Sequence, residues 1–334
     1  MYSAARANSA MQVGLAPSVW SRQQRPDLDH SLHTKARTAL KQTPKAQLAG
    51  TSISRQWPKA GALNSRVAKH PLDQQNTRLL KVLPGLETMA KNVLGPVAEQ
   101  VLLLENIGTS VLVGPEQLPS LHRLLITAAN TLQMAPPDLY IKQNPVPNAY
   151  TLAIGGRKPF IVVHTALLEL LEPLEVQAVI AHELGHLKCN HGVWLTMANV
   201  LATNTQSVLP LLSGAVEEGL LRWLRAAELS CDRAALLVAQ DHRVVISALM
   251  KLAGGSPKLN AELNVEAFLR QAHSYHEATS TPFGWYIKNA QTRALSHPLP
   301  VLRAQEVDTW AASSQYRALL AKNHLHRQRL PQKQ

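Results

Sequence analysis

The stretch AVIAHELGHLKCNHG, residues 178–192, narrows what this chain can fold into more than any other. His182, Glu183 and His186 stand inside a run that otherwise reads as buried helix. Each helical residue advances by about 100°, so His182 and His186 lie roughly 40° apart, one turn above the other. Two imidazoles so placed can reach one metal ion. Glu183 is turned enough to miss the metal yet reach a water beside it, which is the arrangement of a zinc hydrolase. Val176, Ile180, Leu184 and Leu187 fall on the opposite side, so the helix is expected to be wrapped in apolar contacts. The competing reading is two core histidines satisfied by backbone carbonyls.

A catalytic zinc takes three protein ligands and keeps one position open. An HExxHxxGxxH helix would supply all three, but here residues 189 and 192 are Cys189 and Gly192. On a continued helix His191 would project to the far side, so it is expected to face away from the metal near the helix-end carbonyls. Cys189 is expected to be core, and Gly192 to stop the helix. A second helix is the alternative source of the third ligand. LLRWLRAAELSCDRAALLVAQD (220–241) has strong helical periodicity and sets Glu228 and Asp232 on one face among Ala, Leu and Cys. Carboxylates in that setting need partners. Glu228 as ligand, with Asp232 accepting the other N–H of a ligating histidine, would satisfy both. An exposed face with Asp232 paired to Arg225 or Arg233 is the other reading.

HELGH followed by ExxxD on a later helix resembles the HtpX-like and CAAX-prenyl-protease-like zinc metallopeptidases, a gluzincin group. NAYTLAIGGRKPFIVVHTALLELL (148–171) is similar to that family's pair of strands before the metal helix. SHPLPVLRAQEV (296–307) is similar to its late [ST]-H-P segment with a downstream arginine, here Arg303. The likeness runs over residues 105–310. It implies a zinc endopeptidase acting on proteins or peptides, with one Zn2+ per chain on His182, His186 and Glu228, and Glu183 as general base. It places His297 near the active site, as the candidate donor to the oxyanion of the tetrahedral intermediate. A turn histidine before Pro298 is the alternative, and Arg303 is open to a structural ion pair. A site of this type takes its substrate as an extended strand beside the metal helix. The hairpin would supply that edge, with Asn148, Ala149, Tyr150 and Thr151 nearest the cleft; an ordinary packed hairpin is the alternative. LENIGTSVLVGPEQLP (104–119) and AAELSCDRAALLV (226–238) resemble the plastid, plastoglobule-associated members more than the mitochondrial ones.

The expected fold class is α+β and mainly helical, with the HExxH helix, a second Glu-bearing helix and a small antiparallel sheet. Strands are predicted at 109–113, 138–143, 149–155 and 159–164. Helices are predicted at 115–134, at 166–172 after a Thr165 cap, and across 74–103 with breaks at Pro84 and Pro96. Four regions follow: a basic extension over 1–60, a helical linker region over 61–104, the peptidase domain over 105–310 and a basic tail over 311–334.

Charge is unevenly placed. Residues 1–80 hold 12 Lys/Arg against 3 Asp/Glu, out of 34 and 22 in the whole chain, so most of the net +12 lies in the N-terminal extension. The first 60 residues contain only Asp27 and Asp29 as acids and no apolar core segment, which matches an organellar transit peptide rather than a secretory signal. The chloroplast is the compartment the resemblance favours, the mitochondrion the alternative. No aromatic-studded basic helix appears, so nucleic acid is not an expected partner. Two cysteines, Cys189 and Cys231, outside any CxxC, imply no disulfide framework. Residues 189–216 carry no Asp, Glu, Lys or Arg, but Asn199, Thr203, Asn204, Thr205, Gln206 and Pro210 argue against a membrane span. Peripheral contact with a membrane or plastoglobule surface remains open through Trp194, Leu195, Val200, Leu201, Val208, Leu209, Leu211 and Leu212. A zinc-binding but non-catalytic scaffold at a lipid surface is the alternative function; a structural site has no need of Glu183.

Overall fold

Two helices organise the molecule, and their sequences show why they pack. The computed structural model describes residues 69–82, 96–153, 158–192, 195, 214–293, 295 and 297–329. Helix α5 (Pro173–Lys188) starts at a proline whose missing N–H costs nothing in the first turn. It is nucleated by a capping box in which the Glu172 and Glu175 side chains take each other's backbone N–H groups. Val176, Ala178, Ile180, Ala181 and Leu184 are all buried, so the helix is enclosed on most sides. Helix α6 (Gly214–Ala239) presents Ala227, Ser230, Cys231, Ala234 and Ala235 as a buried face of small residues. At the crossing stands Gly185, where an added Cβ would lie 3.0 Å from both the Ala234 Cβ and the Cys231 Cα. Glycine is therefore what lets α5 and α6 approach so closely.

The other elements surround this pair. Helix α1 (Pro71–Val82) docks on α6, and α2 (Pro96–Thr109) leads into strand β1 (Ser110–Leu112). Helix α3 (Pro119–Thr131) packs on α5, and strands β2 (Asp138–Lys142), β3 (Ala149–Leu152) and β4 (Phe160–His164) complete the sheet. A short helix α4 (Thr165–Leu170) joins the sheet to α5. Helix α7 (His242–Gly254) follows α6, then α8 (Val265–Ser280), α9 (Pro282–Thr292), α10 (Pro300–Ala311) and α11 (Ser314–Arg329). Lys251 on α7 donates to the Glu175 carboxylate at 2.8 Å and Ser247 at 2.6 Å, so the buried charge of the capping box is fully partnered.

The mainly helical α+β class is as expected from the sequence. The sheet, though, is mixed rather than antiparallel. Its order is β1-β2-β4-β3, with β2 and β4 parallel and the other two pairs antiparallel. After β2 the chain runs back along the outer edge as β3 and returns as β4 in the gap. That path makes β2 and β4 parallel without a helical crossover. All five residues of β4 are buried, consistent with its interior place. The hairpin itself is present, with Tyr150 opposite Val162 and Thr151 opposite Ile161; residues 154–157 of its loop lie outside the described set.

Other boundaries differ from expectation. His164, not Thr165, is the N-cap of α4, and it makes no side-chain cap. Helix α5 ends at Lys188, before Gly192, and Asn190 takes a left-handed φ of 57°. The region read as linker contains α1, whose Asp73 and Leu80 are buried. The region read as a tail contains α11, whose Tyr316 and Leu319 enter the main core. In α11 apolar periodicity is too weak to separate docked from solvated, whereas α1 is amphipathic but buries polar Asp73 and Asn76 beside Leu80. The basic extension 1–60 and residues 196–213 lie outside the described set. Among the described residues no helix is long and apolar enough to cross a membrane.

Candidate active site

The crossing of α5 and α6 brings together what the two motifs carry. His182 Nε2 lies 3.4 Å from one oxygen of the Glu228 carboxylate and His186 Nε2 lies 3.4 Å from the other. Glu183, on the same turn of α5, faces β3, where the Thr151 hydroxyl donates to its Oε2 at 2.6 Å. A cleft of about 480 Å³ opens over these groups, lined by Asn148, Ala149, Tyr150 and Thr151 on the β3 side. His297 and Arg303 close the opposite side.

Each imidazole has its Nδ1 occupied. His182 Nδ1 meets Asp232 Oδ1 at 3.0 Å, and Arg303 grips the same carboxylate through Nε at 2.8 Å and an NH2 nitrogen at 2.6 Å. Neither Arg225 nor Arg233 pairs with Asp232: Arg225 donates to the carbonyls of Arg293 and Leu295, and Arg233 stacks on Trp310. Arg303 also stands 3.5 Å from Glu228.

The structure overturns the expectation for His191. It does not face away; its Nδ1 lies 3.2 Å from His186 Nδ1, and its Nε2 lies 3.0 Å from Asp73 Oδ2. Rotation by a fixed angle per residue fails here because α5 stops at Lys188 and the left-handed Asn190 turns the chain back under the helix. Lys69 caps that turn by donating to the Cys189 carbonyl at 2.7 Å. Asp73 is the residue that sequence reasoning missed altogether. Its partner is 118 residues away, and nothing local to α1 marks it. Cys189 is buried, as expected of core.

Electrostatics separates the carboxylates from the thiols. Burial alone would raise Glu228, but the charges of His297 and His182 and the imidazole hydrogen bonds hold it well below the usual carboxylate range. Burial works against Asp232 as well, and the Arg303 charge and hydrogen bonds bring it down. Burial would lower His182, yet Glu228 and Asp232 together raise it to about 10 in the metal-free protein. Cys231 lies close enough to His182 and His186 to be considered as a ligand. Burial, the other thiol and the nearby carboxylates push it well above a normal thiol, so it is a neutral S–H. Glu228, anionic and facing both Nε2 atoms, is the better donor. Two imidazole nitrogens and a carboxylate aimed at one another, each imidazole backed by a further acceptor, fit a divalent cation in donor number and chemistry.

His297 is placed differently from the others. Its Nδ1 lies 3.0 Å from Glu228 Oε2, yet its side chain is 63% exposed at the cleft mouth.

Comparison with known proteins assigns the chain to a family. Residues 115–311 match the model of peptidase family M48, a span that contains both site helices. The chain is 62% identical over 255 residues to plastoglobule-localized metallopeptidase 48, chloroplastic, of Arabidopsis thaliana, covering 75% of this chain and 74% of the relative. It is 28% identical over 170 residues to protease HtpX homolog 2 of Methanosarcina mazei, covering 43% of this chain and 58% of that protein. It is 26% identical over 193 residues to a protease HtpX homolog of Moorella thermoacetica, covering 49% and 63%. The chain thus spans about three fifths of the length of those HtpX homologues. No solved structure matches it. With a family match over more than half its length and a near relative over three quarters of it, the chain belongs to peptidase family M48 and is a metallopeptidase of the chloroplast.

Proposed function

We propose that this metallopeptidase is a zinc endopeptidase whose ligands are His182, His186 and Glu228 and whose general base is Glu183. The observation that carries the reading is the mutual facing of two Nε2 atoms and both Glu228 oxygens beside Glu183. A zinc ion there supplies an electrophile for the scissile carbonyl and lowers the pKa of water. Glu183 takes a proton from the attacking water as the C–O bond forms and returns it to the amine as the C–N bond breaks. Thr151 orients Glu183 through its 2.6 Å hydrogen bond. His297 is the donor for the oxyanion, because Arg303 is locked on Asp232 while His297 sits at the cleft mouth. Asp232 orients His182. Among the described residues β3 is the last strand in the sheet order, and its outer edge would pair a peptide in extended form along Asn148–Thr151.

Glu183→Gln is expected to keep its zinc and lose roughly 10²–10⁴-fold in peptide hydrolysis, judged by casein or self-cleavage assays with a chelator control. Elemental analysis should find one zinc per wild-type chain and little in Glu228→Ala. Full activity in Glu183→Gln sinks the mechanism, and full zinc in Glu228→Ala removes Glu228 as a ligand.

The name of the Arabidopsis relative places that protein at plastoglobules, and a lipid surface is the proposed working location here. Helix α9 supports it: Phe283 is 76%, Trp285 62% and Tyr286 64% exposed, with Lys288 two residues on. Aromatic rings with a basic neighbour suit a lipid–water interface. Co-flotation with a triacylglycerol emulsion coated in phospholipid should weaken in Phe283→Ser/Trp285→Ser. Unchanged flotation would remove α9 from this role.

A further inference from the structure

We infer that Asp73, on helix α1, acts through His191 to fix His186 with its lone pair on Nε2, and so is a positioning residue of the metal site. The inference rests on the reading of His186 as a ligand. An ionised carboxylate can only accept, so the His191 nitrogen 3.0 Å from Asp73 Oδ2, Nε2, must carry the proton. A neutral imidazole has one N–H, which leaves Nδ1 of His191 as an acceptor. That nitrogen lies 3.2 Å from His186 Nδ1, so His186 donates through Nδ1. Its remaining lone pair is then on Nε2, the atom 3.4 Å from Glu228 Oε1. The neutral Cys231 thiol, 3.9 Å from His191 Nδ1, agrees with that polarity as a weak donor. Run in the opposite direction, the chain of bonds would need a proton from Asp73, which has none to give.

The relay is built to hold still. Asp73 is 0% exposed and His191 1%. Ser230 donates to Asp73 Oδ2 at 2.6 Å and Thr77 to Oδ1 at 3.0 Å; Trp223 in turn donates to Thr77 at 2.9 Å. Ser230 and Trp223 lie on α6, the helix that carries Glu228. The same element therefore delivers the third ligand and anchors the carboxylate that orients the second. Asp73 precedes the residues matched by the family model, so the metal site extends beyond them.

The test uses the full chain with 15N-labelled histidine. Long-range 1H–15N correlation of the wild type should show His191 protonated on Nε2 and His186 on Nδ1. Zinc affinity, by competition with a chromogenic chelator, should fall about 10–100-fold in Asp73→Leu. It should change little in Asn76→Ala, which removes another α1–α6 contact, the Asn76 amide on the Arg222 carbonyl, but leaves Asp73 and its partners. His191 protonated on Nδ1, a folded Asp73→Leu with wild-type affinity, or an equal loss in Asn76→Ala would each overturn the inference. If Asp73→Leu does not fold, the wild-type tautomers decide. A wild type that binds no zinc would instead overturn the ligand assignment, and the tautomers would still be read on the metal-free chain.

Discussion

The two histidines of the site face Glu228 at the same distance but with different support. His182 rests directly on a carboxylate, Asp232, clamped by Arg303, so full charges touch the ring. His186 rests on a second imidazole, and the carboxylate of Asp73 stands one ring further back. The first arrangement is strong and costly, since buried charges are tolerable only while every partner is present. The second is nearly neutral beside His186 and depends on hydrogen-bond direction. The contrast assigns separate weaknesses: removing charge should damage the His182 side most, and reversing a proton's position should damage the His186 side most.

The largest expected effect is on the charged side. Arg303→Met leaves Asp232 and Glu228 as buried carboxylates short of a cation. Breaking a buried ion pair by removing one partner costs about 3–5 kcal/mol. Urea denaturation of the metal-free protein should show that loss, and added zinc should recover part of it by binding the folded state alone. Ser230→Ala, which removes two hydrogen bonds on the other side, one from the His70 N–H and one to Asp73, should cost about 2 kcal/mol. Similar costs for the two variants would break the comparison.

A change at the crossing should affect both sides alike. Gly185→Ala gains about 1 kcal/mol in helix propensity. It also puts a Cβ 3.0 Å from the Cys231 Cα, a backbone atom that moves only if α6 moves. Overpacking of this kind costs about 1–3 kcal/mol, so the net loss in stability is about 1 kcal/mol. Zinc affinity is the sharper readout, because α5 carries both histidines and α6 carries Glu228. Wild-type affinity would show that α6 can shift without moving its carboxylate.

The sequence made half of this site legible. HExxH and ExxxD are local patterns on long helices, and helical period alone puts His182 beside His186 and Glu228 beside Asp232. Periodicity also gave the hairpin that carries Thr151, though not that Thr151 would hold Glu183. His191 was misjudged because extrapolating a helix assumes that the helix continues, and this one stops three residues earlier. Asp73 was illegible for a different reason. Its role is defined by a tertiary contact, and an aspartate in the first turn of a helix is ordinary helix chemistry. The same limit explains the sheet: alternation identifies strands, but the insertion of β4 between β2 and β3 is a matter of topology.

The smallest effect near neutral pH also separates the sides by sign. In the metal-free protein Glu228 and Asp232, working against burial, raise His182 from 6.5 to about 10. The folded state then holds a proton more tightly than the unfolded chain. That stability is complete below pH 6.5 and is lost as pH rises toward 10. His191 is the reverse. Burial first, with the His186 and Lys69 charges, outweighs Asp73 and lowers it from 6.5 to about 4. The unfolded chain takes up that proton first, so stability is lost as pH falls from 6.5 toward 4. Asp73 extends the acid limb. Burial would raise it, but the His191 hydrogen bond and charge, Lys69 and Ser230 bring it from 3.8 to about 2, so its contribution is lost as pH falls through that range. Each group bends the curve by at most about 1.4 kcal/mol per pH unit. Urea midpoints of the metal-free protein should therefore peak near pH 6.5. Asp232→Asn should flatten the alkaline limb and His191→Gln the limb between 6.5 and 4. Zinc, by taking the place of the His182 proton, should flatten the alkaline limb, and its own stabilisation should be lost as acid protonates the ligands. If both variants flatten the same limb, the two histidines are held by one coupled network and the division between them is wrong.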